Sequence, residues 1–156
     1  MQLPNGIIGP TVGAFISGII GLIAVEYRNY RQRAAEIERW YYRAGRLAEQ
    51  VKRETPETYL SSFHSDSVPD EAPERADDMI AAYGRIGNQL RDHINQAPPG
   101  VSEAVIDSAT ETAQWCQITD REGRTQGFLE RARSAVESAN QLKADAEKSK
   151  ENFGWF

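Results

Sequence analysis

Thiols and imidazoles are scarce in this chain, and the motifs that carry most enzyme chemistry are missing. The single cysteine, Cys116, cannot close an internal disulfide, and a thiolate zinc site needs more thiols. The two histidines, His64 and His93, fall in different segments, and neither HxxxH nor HExxH occurs. His64-Ser65-Asp66, followed by Asp70 and Glu71, reads as a solvated acidic linker rather than an ion site. GxSxG is absent, and Gly84-Arg85-Ile86-Gly87 lacks the preceding strand that a phosphate loop needs. No catalytic residue, cofactor or metal is expected, so the chain reads as non-enzymatic. Acids outnumber bases, 23 to 18, which is the wrong sign for a nucleic-acid binder.

Charge itself is unevenly spread. Residues 1–25 carry none, residues 26–54 hold eight basic and five acidic side chains, and residues 55–156 hold ten and eighteen. A length of 156 residues allows one core plus an appendage. The appendage is the run Ile7–Val25, nineteen residues without an ionisable group. As a helix it would extend about 28 Å, close to the roughly 30 Å of bilayer hydrocarbon. A buried core helix of that length normally shows a polar stripe, and here only Thr11 and Ser17 are polar. A cleaved secretory signal opens with Lys or Arg, and Met1–Gly6 has neither. The positive charge follows the run instead, so the expected object is an uncleaved single-pass anchor in the cell membrane, N-terminus outside and C-terminal region cytoplasmic. The expected division is 1–6 extracytoplasmic, 7–25 transmembrane, 26–54 a juxtamembrane helix continuous with the span, 55–72 a short helix and linker, and 73–156 cytoplasmic helical hairpins.

Within the span, Gly9, Gly13, Ser17 and Gly21 recur every fourth residue. They share one helix face and form a strip along which a second helix can approach closely. Pro10 falls in the first turns, where it disrupts fewest hydrogen bonds. Tyr27 and Tyr30 suit an interfacial aromatic belt, and Arg28, Arg31 and Arg33 are placed to meet lipid headgroups. Arg39, Arg43 and Arg46 lie too far along the helix for that, and pairing with neighbouring acids is expected of them.

Beyond the span every segment has a helix period, and none alternates like a strand. Ile37, Tyr41, Ala44, Ala48 and Val51 step by four and three, with Trp40 and Leu47 widening the stripe. Thr55-Pro56-Glu57 reads as an N-cap and a Pro start for a short helix. Ser61–Pro73 is the clear linker. A second stripe is Ala76, Ile80, Tyr83, Gly87, Leu90 and Ile94, ended by Pro98-Pro99-Gly100. The third follows Ser102 as N-cap, with Val105, Ile106, Ala109, Ala113 and Cys116, and Trp115 alongside. Asp120–Thr125 breaks it, and Phe128, Ala132, Ala135, Ala139, Leu142 and Ala146 form the last. The expected class is all-α: a membrane helix continuing into a helical bundle, with extended coiled coils as the other arrangement. Short connections favour the bundle.

Three aromatics, Phe153, Trp155 and Phe156, crowd the last four residues and suggest a tip for packing or for a partner. Arginine outnumbers lysine fourteen to four, a hint of a prokaryotic source. The expected function is a scaffold or accessory subunit with membrane lipid, a homo-oligomer or a membrane complex as partner, and no nucleic acid. The competing readings are a holin-like permeabilising oligomer and a helix-relay signalling component.

Overall fold

The computed structural model describes residues 8–64, 72–117 and 126–153. Among them every regular element is an α-helix: α1 Ile8–Glu54, α2 Glu57–Ser62, α3 Ala72–Asn95, α4 Glu103–Trp115 and α5 Gln126–Phe153. The chain divides into two units, Met1–Glu36 and Ile37–Phe156, and the division falls inside α1 rather than at a linker.

In the first unit, α1 runs on without interruption because Tyr, Arg, Gln, Ala and Glu follow the apolar run with no proline or tight turn. Its side chains are described from Ile16 onward, and those of residues 16–33 are exposed.

The second unit is a helical bundle. From α1 it takes Ile37, Trp40, Tyr41, Ala44, Leu47, Ala48 and Val51, all buried as the four-and-three spacing predicts. All six positions of the final stripe, Phe128 to Ala146 on α5, are buried too. Tyr41, Tyr59, Tyr83, Phe128, Leu90 and Leu142 are almost fully enclosed within one chain. That enclosure selects the compact bundle over coiled coils completed by other copies. Backbones come closest between α4 and α5 and between α3 and α4. Between α3 and α4, Gly87 lies against Ala113 and Cys116, small residues that let the helix axes approach. At Gly87 a Cβ would stand 3.2 Å from both the Ala113 carbonyl oxygen and Cys116 Cβ.

One helix start departs from the spacing expected, and another matches it. Thr55 does not cap α2, whose N-cap position is Pro56. Instead its hydroxyl donates to the Val51 carbonyl (2.7 Å) and accepts from the Tyr83 hydroxyl (2.5 Å). A buried phenol needs a partner, and Thr55 supplies it while closing the end of α1. Ser102 does hold the N-cap position of α4, but its side chain makes no capping bond. Its backbone N–H donates to the Tyr41 hydroxyl at 2.8 Å, a tie between α1 and the start of α4. Just before it, Gly100 turns the chain at φ 101°, a left-handed conformation that only glycine adopts freely.

The stripes of α3 and α4 are also broader than predicted. Ile80, Ile94 and Ile106 are only partly buried, whereas Met79, Ala82, Ile86 and His93 are buried. On α4, Trp115 stays 37 % exposed, and Ser108 and Thr112 are enclosed. The Thr112 hydroxyl folds back onto the Ser108 carbonyl at 2.7 Å, so burial leaves it satisfied.

Candidate functional site

The unusual surface of this protein lies in its first unit. Ile16, Ile19, Ile20, Leu22, Ile23 and Val25 are 53–71 % exposed. At about 100° per residue these six side chains spread over about 220° of the circumference, leaving one gap of about 140°. Ser17, Gly21 and Ala24 occupy that gap. A Cβ added at Gly18 or Gly21 would have no protein atom within 4 Å. A helix that is apolar all round is a helix meant to be surrounded.

Among the described residues no helix is long and apolar enough to cross a membrane. The part of the uncharged run with described side chains is Ile16–Val25, which extends only about 15 Å. Of the predicted packing strip, Ser17 and Gly21 are exposed. Gly9 and Gly13 lie on the α1 backbone, but their surroundings fall outside the described residues.

Past Val25 the surface changes character. Tyr27 and Tyr30 are 62 % and 50 % exposed, and Arg28, Arg31 and Arg33 are exposed among them. The Arg31 guanidinium sits 5.8 Å from the centre of the Tyr27 ring, one turn back, in cation–π range. These arginines have no acidic partner within 4 Å among the described residues. Arg39, Arg43 and Arg46, expected to pair along the helix, are exposed without such pairs there; the ion pair seen is Lys150 to Glu38, 3.8 Å apart.

The second unit contributes one feature that the sequence reading missed. His93 on α3 is buried and stacks on Trp40 of α1, ring centres 4.5 Å apart and 12° from parallel. Trp40 Nε1 donates to the His93 carbonyl, and His93 Nε2 donates to the Trp40 carbonyl, both at 2.9 Å. Burial pushes the His93 imidazole below its ordinary pKa, Arg43 adds to that, and the bond to Trp40 opposes it. A polar residue three positions after Leu90, on the same face, was the available signal.

Other chemistry-bearing groups are structural in their surroundings. Cys116 is buried, and burial pushes its thiol up to about 12, leaving little thiolate at neutral pH. Ser108 donates to Asp145 (2.5 Å), which also accepts from Gln141 (2.9 Å), joining α4 to α5. Gln114, Trp115, Gln117 and Arg131 line a shallow open depression. Among the described residues no three His, Cys, Asp or Glu side chains converge on a metal position. Phe153 ends α5, while Trp155 and Phe156 of the expected tip lie outside the described residues. No known protein family matches this chain, and no match to it was found among curated proteins or solved structures.

Proposed function

We propose that the chain is a non-enzymatic, single-pass membrane protein that presents its helical bundle as a docking platform, as a scaffold or an accessory subunit. One observation carries the reading: bulky aliphatic side chains stand exposed over about 220° of the circumference of α1 between Ile16 and Val25, and only small uncharged residues fill the remainder. Each leaves apolar area in water at about 25 cal/mol per Å², so water is the wrong surrounding for this segment. The uncharged sequence from Ile7 onward brings the run to nineteen residues, the length that hydrocarbon accommodates. Tyr27, Tyr30 and the three arginines then follow in the order an interface favours. Arginine after the run favours the cytoplasmic side for the bundle.

Fractionation of cells producing the full chain tests the reading. The intact protein should sediment with membranes and stay there through alkaline carbonate. Recovery of unprocessed chain in the high-speed supernatant would refute it. Mass measurement in nanodiscs then separates a self-assembling scaffold from an accessory subunit that carries a foreign partner.

A further inference from the structure

Resting on the anchor reading, we propose that Arg28, Arg31 and Arg33 form a collar that selects anionic phospholipid around the helix. The distribution of charge carries it. Residues 26–33 combine Glu26 with three arginines, a balance of +2, whereas residues 34–156 hold fifteen basic and twenty-two acidic side chains, a balance of −7. Attraction to a negative surface therefore has one place to come from, and the rest of the chain opposes it.

Geometry adds that the collar encircles the helix instead of marking one side. Arg28 and Arg31 are about 60° apart round the axis, and Arg33 is about 140° from Arg28. A helix lying flat on a membrane would gather its arginines on one face. An encircling set suits a helix standing through the headgroup layer, where phosphates approach from every direction. Each guanidinium is exposed and without an acidic partner among the described residues, so its donors are free for phosphate oxygens. Arg31, held over the Tyr27 ring, is kept at the level of the aromatic belt.

The test reconstitutes the full chain into phosphatidylcholine vesicles with and without phosphatidylglycerol, then weighs the lipid retained after mild detergent extraction. The wild type should float with both vesicle types and retain phosphatidylglycerol beyond its share of the mixture. R28Q/R31Q/R33Q should still float while that excess falls on the order of tenfold or more. R39Q/R43Q/R46Q, with the same loss of charge farther along α1, should keep it. Retention that follows the bulk composition in the wild type, or an excess untouched by the first triple variant, overturns the collar with the anchor intact. So does a stable dimer whose formation, rather than lipid, responds to the three arginines. Failure to float with either vesicle overturns the anchor reading and the collar with it.

Discussion

Two stretches of α1 carry apolar side chains, Ile16–Val25 and Ile37–Val51, and the more apolar of the two is the exposed one. Leu22 is 71 % exposed while Ala44 and Val51 are fully buried. The difference lies in arrangement. Ile37, Tyr41, Ala44, Ala48 and Val51 fall on one side of the helix, so a single neighbouring layer covers them. Ile16, Ile19, Ile20, Leu22, Ile23 and Val25 spread over about 220° of the circumference, more than a single layer can cover. Periodicity, not apolar content, decides which part of a helix its own chain can bury.

Cutting a large side chain from each stretch of the chain should break the comparison most visibly. Leu47→Ala, in the Ile37–Val51 stretch, removes a buried side chain and should cost about 2–5 kcal/mol of bundle stability. Leu22→Ala, in the exposed stretch, should leave the same transition within about 0.5 kcal/mol. Urea unfolding of the full chain in mild detergent, followed by Trp40 fluorescence in a W115F/W155F background, measures both. Equal losses would mean that residues 16–25 belong to the bundle after all.

A smaller effect probes the contact of α1 with α3. Trp40→Phe keeps most of the aromatic area but leaves the His93 carbonyl without its donor, for about 1–3 kcal/mol. The same site gives bundle stability a pH dependence. Because burial holds the His93 pKa below 6.5 in the folded state, the unfolded chain takes up the proton first. Stability should therefore be complete above pH 6.5 and decline as pH falls from there toward the folded-state value. A urea midpoint that rises on acidification across that window would contradict the assignment.

The finest distinction is between two glycines. Gly45→Ala has nothing within 4 Å and should stabilise by about 0.5–1 kcal/mol through helix propensity. Gly87→Ala pushes a methyl against the Ala113 carbonyl and Cys116, and backbone cannot yield cheaply, so it should destabilise. Thermal melting of the two variants should move in opposite directions.

The helices and most of the α1 and α5 faces were legible because their four-and-three steps are clean and no breaker interrupts them. Reading failed where polar residues joined the core. Thr55, His93 and Ser108 each meet a hydroxyl, carbonyl or carboxylate from another helix, which hydrophobic spacing does not reveal, whereas Thr112 bonds back to the Ser108 carbonyl of its own helix. Ser102 holds its expected cap position, whereas Thr55 leaves the cap of α2 to Pro56 and engages Tyr83 instead. Of the site, the apolar run and its arginines could be read directly. Their encirclement of the axis needed only the helix pitch, and their lack of acidic partners needed the structure.

The pairing of Trp40 with His93 joins positions 53 residues apart in the chain. The α3–α4 hairpin closes over a much shorter connection and loses less entropy on forming. On loop-closure entropy alone, the joining of α1 to α3 is expected to follow the α3–α4 hairpin. The indole ring stacks on the imidazole only once α1 and α3 are joined, so Trp40 emission, read in a W115F/W155F background, would time that contact.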